Sequence, residues 1–483
     1  MTPEQRARWH SRRVIISEIL MVIAVIATVS VLALVVSGYW LNSDFEVERQ
    51  GLLQVSSIPT GANVEIDGAS SWLQRTNTSK VLSTGTHTVK LTRDGYDSWS
   101  KTINIKEGLL YRIHYPRLFL KERTKEELFS TAGTTFASIS PDRRTLLLVN
   151  NTTEWKLVNL DSDKPTSKPL NIANIFSSVS LAPEAKTGLF SGQILDADWD
   201  HNSEHILIKV GTESGIEWVL LNVGQPASSI NITREFAASF ADVQILDNSA
   251  SNLLAIRDGN LHKIDVGGRQ ISAIIAEKVH SFDHFENQIV FVGQITDYSK
   301  LNIPEGDDDF KTSPDDAYYI GLTKVGSGEI STLATLSSPA LITISKFYDD
   351  EYISILQNSQ LTVYEKETFK EHFKSDISFT PSNIKIGHDG EFIFMNEGTS
   401  IASFDMEAGA TTEWVIDSAN NGWLDDDMLY SVNEGELAVY DFDGLNKRVL
   451  ASNASSHYPV AITNDKWLYY FSDDMLAREI VNN

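Results

Sequence analysis

The sequence predicts an all-β protein that has a single N-terminal transmembrane helix, a small β domain and a seven- or eight-bladed β-propeller. Three observations support this fold class. An uncharged apolar run covers residues 19–36, alternating runs of β-forming residues follow the spacer after it, and similar β-rich runs recur along the remaining chain. The predicted organisation is a cytoplasmic tail (1–13), a membrane anchor (14–41), a juxtamembrane spacer (42–50), a β domain (51–120) and the propeller (121–483).

Composition limits the function classes. A chain of 483 residues exceeds what one compact core supports, so two or more domains are expected. The formal net charge of −25 argues against nucleic acid as a partner, because phosphate recognition needs clustered Lys and Arg. The absence of cysteine excludes disulfides, thiolate metal sites and a cysteine nucleophile.

The apolar run from Ile19 to Val36 holds 18 residues without a charge. Extended to Leu41 it spans roughly 34–40 Å as a helix, enough for a bilayer core of about 30 Å. Basic residues precede the run: Arg6, Arg8, Arg12 and Arg13. The far flank, NSDFEVE, is acidic, so the positive-inside rule predicts a cytoplasmic N-terminus and an extracytoplasmic bulk. A cleaved signal peptide is the alternative, although the run exceeds an h-region of about 7–15 residues.

The β domain begins with two strands around a sharp turn. LLQVSSIP gives the first strand, and residues 62–66 give the second, with Val64 and Ile66 on one face. Pro59 and Gly61 interrupt the run between the strands, and Asp67-Gly68 closes the second strand with a turn signal. Residues 85–105 supply two more strands.

These residues resemble a PEGA domain. The tetrapeptide that gives the family its name corresponds here to Pro59-Thr60-Gly61-Ala62, with Thr60 in place of the family's Glu. The rest of the pattern is carried by Val64 to Gly68, Gly85 to Val89, and Gly95-Tyr96. The resemblance implies a small β-sandwich-like module of a bacterial cell-surface protein, which acts as an envelope spacer or adhesion module without catalysis.

The conspicuous polar residues of this region have structural interpretations. His87 lies between threonines in a strand, so we expect a packing or hydrogen-bonding role. Asp67 and Asp94 precede glycines and are expected to shape turns. Tyr96 and Trp99 are expected in the core.

From about residue 130 the chain repeats one template of an apolar entry, a polar turn, a strongly apolar strand and a further strand. The one helix expected here is a short piece near Arg123 to Leu128. Eight runs match the template, and they begin at Phe136, Ala197, Ala241, Phe282, Ile344, Ile384, Gly422 and Ala461. A period of about 40 residues with three or four strands per unit is typical of a β-propeller.

One turn of this region is similar to that of a known repeat. Residues 140–144, Ser-Pro-Asp-Arg-Arg, are similar to the SPDGK turn of TolB-like and WD40-like propeller repeats, and residues 199–203 and 387–390 are weaker versions. The Trp199-Asp200 dipeptide stands in the wrong part of its repeat for a WD40 blade. The resemblance therefore implies a propeller without assigning its subfamily.

No catalytic or cofactor motif is present. The chain lacks G-x-S-x-G and the phosphate-binding G-x-x-x-x-G-K-[ST] pattern, and His201 and His205 are not part of H-E-x-x-H. No catalytic, cofactor-binding or metal-binding residue is predicted, and the protein is expected not to be an enzyme.

Three acidic clusters are interpreted as turns or solvated loops. Residues Asp196, Asp198, Asp200 and Asn202 alternate like a calcium loop but lack its glycine and distal glutamate. Residues 305–309 lie within an insertion at 297–316 whose role the sequence leaves open, and residues 425–427 lie at a blade turn. Carboxylate pairs that meet in space remain an alternative, since glycosidases use such pairs.

The leading functional prediction is a membrane-anchored extracytoplasmic binding or scaffold protein of the bacterial envelope, with a protein or glycan partner. The alternative is a propeller-type hydrolase or lyase that acts on envelope polysaccharide or peptide. That alternative predicts carboxylates or a histidine in the central channel with raised pKa values. A sensor subunit, which would need a membrane partner, is the third possibility.

Overall fold

The computed structural model describes residues 18, 20–30, 32, 39–41, 47–151, 154–172, 175, 192–213, 215–246, 250–301, 316–387 and 390–482. The chain forms two compact units, residues 1–122 and residues 123–483.

Part of the predicted membrane segment falls within the described residues. Residues 18, 20–30 and 32 are helical, and large apolar side chains from Leu20 to Leu32 are exposed. None of the helices formed by the described residues combines the length and the apolar character that crossing a membrane requires. Tyr39–Leu41, predicted as the end of the helix, forms a strand that pairs with residues 47–49. The rest of the predicted segment, including its arginine flank, lies outside the described residues.

Eight strands make up two four-stranded sheets in the first unit. They are β1 (Tyr39–Leu41), β2 (Val47–Val55), β3 (Asn63–Ile66), β4 (Ala69–Arg75), β5 (Thr78–Ser83), β6 (Gly85–Thr92), β7 (Trp99–Ile105) and β8 (Leu110–Ile113). One sheet has the order β1-β2-β5 with β8 parallel to β2, and the other has the order β4-β3-β6-β7.

The core of the first unit lies between these sheets. Leu53 from one sheet and Val89 and Trp99 from the other are fully buried. At Gly51 the backbone of residue 106 lies so close that an added Cβ would be 2.5 Å from its carbonyl oxygen. The alternation of apolar residues in β2, β6 and β7 therefore builds a two-layer core, as the sequence predicts.

The second unit contains eight four-stranded antiparallel sheets in its described part, which we call blades 1 to 8. Blade 1 comprises β10 (Thr134–Ile139), β11 (Thr145–Asn150), β12 (Glu154–Asn159) and β13 (Thr166–Asn171), and blade 2 comprises β14 (Gln193–Trp199), β15 (His205–Thr212), β16 (Gly215–Asn222) and β17 (Ile230–Asn231). Blade 3 comprises β18 (Asp242–Ile245), β19 (Asn252–Arg257), β20 (Asn260–Asp265) and β21 (Gln270–Ile271), and blade 4 comprises β22 (Val279–Phe285), β23 (Gln288–Gln294), β24 (Tyr318–Lys324) and β25 (Ile330–Leu336).

Blade 5 comprises β26 (Leu341–Phe347), β27 (Asp350–Gln357), β28 (Gln360–Glu365) and β29 (Glu371–Asp376), and blade 6 comprises β30 (Asn383–Ile386), β31 (Phe392–Glu397), β32 (Ser400–Asp405) and β33 (Ala410–Val415). Blade 7 comprises β34 (Asn421–Trp423), β35 (Met428–Asn433), β36 (Glu436–Asp441) and β37 (Arg448–Ala451), and blade 8 comprises β38 (Ala461–Thr463), β39 (Trp467–Ser472), β40 (Met475–Ile480) and β9 (Lys125–Ser130). A short α-helix, α1 (Ile232–Glu235), follows β17, and two 3₁₀ turns cover Pro226–Ser228 and Tyr298–Lys300.

Each of the eight repeats predicted from the sequence begins at or beside the first strand of one blade. The second strands carry the longest apolar runs, such as residues 146–149 and 289–292, and these side chains are buried. Both faces of these strands are covered because each blade packs against a neighbour on either side. The described chain therefore has a β-propeller-like architecture with eight blades.

Separate hydrophobic clusters lie between consecutive blades rather than inside one shared core. Leu147 and Trp155 of blade 1 pack with Ile208 of blade 2, and similar clusters join blades 2 to 6 in sequence. Blades 6 and 7 meet through stacked Phe392 and Phe442 rings. Blade stability thus comes from neighbours, as expected for repeats that cannot bury their faces alone.

The ring closes between its ends. Leu146 of blade 1 packs with Tyr469 and Phe471 of blade 8, and β9 pairs with β40 as the outer strand of blade 8. The prediction of a short helix near Arg123 to Leu128 is therefore wrong. The local sequence has helix-forming residues, but pairing with the edge of β40 provides backbone hydrogen bonds that a short isolated helix would not retain.

Candidate functional site

A cavity of about 880 Å³ lies within the ring, at the first strands of blades 2, 3 and 4. Hydrogen bonds link the first strands of blades 3, 4 and 5. Gln244 Nε2 donates to the Phe282 carbonyl at 3.3 Å, and Thr343 Oγ1 of blade 5 donates to Asp283 Oδ2 at 2.5 Å. The first strands therefore form the wall of a common space in the ring.

Five aspartates line this cavity. Asp200 belongs to the turn after β14, and the other four, Asp196, Asp198, Asp242 and Asp283, lie on the first strands. Strand register places them at two levels. Asp198 and Asp283 each pair with the third residue of the following strand, Leu207 and Val290. Asp196 and Asp242 each pair with the fifth residue, Lys209 and Ile256. Because side chains alternate along a strand, both levels face the same side of their blades, toward the cavity.

The Asp198 carboxylate has a raised pKa. The Asp198 side chain is open to the cavity. The surrounding ring nevertheless limits its solvation and raises its pKa to about 6, and the negative charge of Asp196 contributes to this increase. Lys385, from the first strand of blade 6, opposes the shift. The Asp198 carboxylate has no hydrogen-bond or ion-pair partner among the described residues.

The other two shifted carboxylates belong to blades 3 and 4. Burial raises the pKa of Asp242, although the Val243 amide and Lys209 oppose the increase. Burial also raises the pKa of Asp283, against hydrogen bonds from Thr343 and Ile344. None of the four first-strand aspartates forms an ion pair with another described residue, so Lys209 and Lys385 offset the negative charge of the cavity only from a distance.

Apolar side chains complete the wall: Leu207, Trp199, Trp218 and Phe285. The Trp199 indole donates to Ser138 Oγ at 2.9 Å, and the Trp218 indole donates to the Phe240 carbonyl at 3.0 Å, so both rings are fixed in place. His284 also lines the cavity, and its buried Nδ1 has no hydrogen-bond partner among the described residues. Such a wall suits the aliphatic part of a ligand, while the carboxylates suit a cationic end.

The described residues contain no group of three or more histidine, aspartate or glutamate side chains arranged to hold a metal ion. The calcium-like alternation at 196–202 divides into two parts. Asp196 and Asp198 are in β14, whereas Asp200 Oδ1 accepts the amides of Glu204 and His205 at 2.7 and 2.9 Å. Asp200 Oδ2 is 3.0 Å from His205 Nδ1, so this carboxylate stabilises the turn between β14 and β15.

Of the two other acidic clusters, the structure describes only the one at residues 425–427. Residues 305–309 lie outside the described residues. Asp425 Oδ1 accepts the Asp427 amide at 3.0 Å, and Asp426 forms an ion pair with Arg143 Nη2 at 3.0 Å. The cluster at 425–427 therefore supports turns of the ring, as predicted.

The first turn of the PEGA-like region is held by a buried residue and by hydrogen bonds. Gly61 adopts a positive φ of 81°, and Ala62 is fully buried. The Ala62 amide donates to Thr76 Oγ1 at 3.0 Å, while Thr60 is exposed and its carbonyl accepts from Arg93. Pro59, at the start of this turn, follows a cis peptide bond.

The remaining motif residues also form turns or core. Asp67 and Gly68 have φ values of 51° and 76° and connect β3 to β4 as a two-residue hairpin turn. Gly85 starts β6 with a φ of 122°, Gly95 has a φ of 81°, and Tyr96 is buried. These positions bring no chemistry together except at Asp67, which contacts His87.

Asp242 and Asp283 were not predicted as site residues from the sequence. A signal for them is present, because an apolar residue followed by aspartate stands near the start of three successive repeats, at 197–198, 241–242 and 282–283. The convergence itself depends on strand register and ring closure, which no local pattern reveals.

Residues 50–117 match the model of the PEGA domain, which confirms the predicted PEGA-like domain. No curated protein matches the sequence.

Solved structures give distant likenesses. A structure of oligogalacturonate lyase in complex with manganese is similar with 12% identity, over 59% of this chain and 88% of that chain, with a TM-score of 0.37. Hsv2 of Kluyveromyces lactis is similar with 9% identity, over 66% of this chain and 97% of that chain, with a TM-score of 0.41. At these values neither likeness supports an argument about function.

Proposed function

We propose that this chain is a membrane-attached, extracytoplasmic binding protein of the bacterial envelope, and that its ring binds a basic segment of a partner protein in the cavity of blades 2 to 4. The cavity is the observation that carries the proposal. It is concave, has fixed aromatic walls and holds four aspartates without ion-pair partners among the described residues. The PEGA match supports the proposal of an extracytoplasmic surface protein.

Membrane attachment is supported by the first helical residues. Val22, Ile26 and Val29 are more than half exposed, and an exposed apolar helix surface is unfavourable in water. Protease added to right-side-out vesicles should cleave residues 123–483 without lysis. Complete protection of these residues until lysis would overturn the proposed topology while leaving the cavity proposal intact.

Charge favours a cationic ligand group. Residues 123–483 contain 54 of the 65 acidic residues but 26 of the 40 basic ones, so the net negative charge lies entirely in the ring and residues 1–122 are slightly positive. A lysine side chain would place its ammonium near Asp198 and its methylene groups against Trp199 and Trp218. Complementary charge also accelerates association with a basic partner.

The experiment measures binding of a tri-lysine peptide to the full chain in nanodiscs by calorimetry. The double variant D198N/D242N should weaken binding at least about tenfold, since two attractive carboxylates become neutral. The matched control is D349N/D350N, which removes two exposed acidic residues of blade 5 and the same net charge. It should change the affinity less than about twofold.

Equal weakening by both double variants would show that only net charge matters and would overturn the cavity as the site. A trimer of glucosamine provides a second probe. Binding of this amino sugar without binding of the peptide would overturn the choice of a protein partner and point to a glycan.

A hydrolase or lyase is the second candidate, because the raised pKa of Asp198 is a property of general acids. In this function Asp198 would protonate a leaving group while a second cavity carboxylate acts as base or nucleophile. Turnover of polysaccharide or peptide fragments by the wild type, and its loss in D198N, would establish catalysis. Tight peptide binding with no turnover would exclude it for the substrates tested.

A further inference from the structure

His87 stands at the corner where the chain passes from one sheet of the PEGA-like unit to the other. Ser83 ends β5 in the first sheet, and β6 starts at Gly85 in the second sheet. The Asp67-Gly68 turn, which connects β3 to β4, lies beside this corner. The Asp67 amide donates to the Thr88 carbonyl at 2.9 Å, and Asp67 Oδ1 accepts the Thr88 amide at 2.8 Å.

Both ring nitrogens of His87 face acceptors. Nδ1 is 2.6 Å from Asp67 Oδ2, and Nε2 is 2.9 Å from the Ser83 carbonyl oxygen. A neutral imidazole has one N–H and can satisfy one of these acceptors, whereas an imidazolium has two. The geometry is therefore that of a protonated histidine that donates in both directions.

We propose that His87 is a pH-operated clip, which in its protonated form ties the Asp67-Gly68 turn to the end of β5 and releases the Ser83 end when it loses its proton. The charged groups that act on the ring are Asp67, from the turn, and Lys80, from β5. The Asp67 carboxylate favours the imidazolium and Lys80 opposes it.

The electrostatic surroundings agree with this geometry. Desolvation disfavours the charged ring, but hydrogen bonds to Asp67 and the Ser83 carbonyl outweigh it and raise the pKa of His87 above 6.5. The hydrogen bond from His87 lowers the pKa of Asp67, and the Thr88 amide adds to this decrease. Because the folded pKa of His87 is raised, the stabilisation is complete below about pH 6.5 and is lost as the pH rises through the folded pKa.

Ser83 Oγ is 3.4 Å from His87 Nε2, so serine, histidine and aspartate stand in the order of a hydrolytic triad. The Ser83 carbonyl is closer to the same nitrogen, however, and an Nε2–H that donates to a carbonyl cannot accept the hydroxyl proton. The arrangement thus serves as a clip and not as a nucleophile.

Hydrogen exchange of the full chain in nanodiscs tests the clip. After correction for intrinsic rates, segments 63–70 and 83–88 should exchange about three- to tenfold more slowly at about pH 5.5 than at about pH 8. The variant H87Q should remove this difference, and D67N, which removes the charge that favours the imidazolium, should move it to lower pH. The control H114Q changes another histidine of the same unit and should retain the difference.

Equal protection at both pH values in the wild type, or an unchanged difference in H87Q, would overturn the clip. Covalent labelling of Ser83 by a fluorophosphonate would also overturn it, because this reaction requires an unprotonated Nε2.

Discussion

Asp67 in the PEGA-like unit and Asp198 in the ring are both aspartates near the end of a strand, but their surroundings shift their pKa values in opposite directions. Hydrogen bonds from His87 and the Thr88 amide lower the pKa of Asp67. Asp198 has no such partner among the described residues, and burial raises its pKa to about 6. A carboxylate with internal partners is a structural element, whereas a carboxylate without them is available to a ligand.

The same contrast holds for the two units. The PEGA-like turn pattern of the first unit places Gly61, Ala62 and Tyr96 in turns or core, and the Ala62 amide bonds within the unit. The ring holds most of the acidic residues, and blades 2 to 4 direct four of them into a cavity. The residues that match the family pattern therefore build turns and core, while the less regular repeats carry the candidate site.

The largest effect is expected from Trp99→Ala in the PEGA-like unit. Trp99 is fully buried and packs edge-on against Tyr115 with ring centroids 6.0 Å apart. Loss of this side chain should cost about 3–5 kcal/mol, comparable with the whole stability of a small domain. Pulse proteolysis should show cleavage within residues 47–122 while the ring remains resistant. Simultaneous unfolding of the ring would show that the two units are not separate in stability.

A smaller loss is expected when the closure of the ring is weakened by Arg123→Ala. The Arg123 guanidinium donates to the Leu450 carbonyl at 3.0 Å and lies 3.3 Å from Glu479 Oε2, and both side chains are mostly buried. Removal leaves a buried carboxylate without this partner, so the free energy of unfolding should fall by about 2–4 kcal/mol in urea titrations. The control Arg257→Ala breaks an exposed pair with Asp258 and should cost less than about 0.5 kcal/mol. Equal losses would contradict the closure role.

Binding of the tri-lysine peptide should depend on pH with a sign set by Asp198. Its carboxylate loses a proton as the pH rises through about 6, so affinity should increase about three- to tenfold between about pH 5 and about pH 7. Calorimetry at both values measures the change. In D198N the increase should be smaller, and an identical increase in that variant would assign the titration to another group.

Asp198 should also affect stability in the direction opposite to Asp67. Its folded pKa exceeds 3.8, so the folded state binds more protons and stability falls as the pH rises from about 4 through about 6. D198N should therefore raise the thermal midpoint at about pH 7. The corresponding increase in the free energy of unfolding should be no more than about 1 kcal/mol, because cavity water screens the charge. At about pH 4 the variant should match the wild type, and a loss of stability at about pH 7 would contradict the assignment.

The smallest effect is expected from Thr60→Glu, which restores the residue typical of the family. Thr60 is exposed, and only its carbonyl takes part in a described contact, with Arg93. The free energy of unfolding should change by less than about 0.5 kcal/mol, measured by thermal unfolding of the full chain. A larger change would mean that this turn position has a role that the structure does not reveal.

Much of the fold could be predicted from the sequence because turns and strand alternation are local. Pro59 to Ala62, Asp67-Gly68 and the eight repeat starts all coincide with turns or first strands. Closure by β9 could not be predicted, since its pairing with β40 joins residues about 350 positions apart and its own sequence favours a helix. The helical prediction for Tyr39–Leu41 was also wrong, because these residues pair locally with the start of β2 instead of extending the helix.

The candidate site was less predictable than the fold. Asp196 and Asp198 were identified as an acidic alternation but were interpreted as a turn, and Asp242 and Asp283 were not singled out. The raised pKa values of Asp198, Asp242 and Asp283 depend on burial inside the ring, which arises only after the blades assemble. The structural interpretation of Asp67 and His87 was correct in kind, but their mutual contact required the register of β3 with β6.

The most direct measurement is a structure of the full chain determined with the tri-lysine peptide. The account predicts a lysine ammonium within about 4 Å of the Asp198 and Asp242 carboxylates, with its methylene groups against Trp199 or Trp218. A peptide bound elsewhere on the ring, with only solvent beside these aspartates, would contradict it.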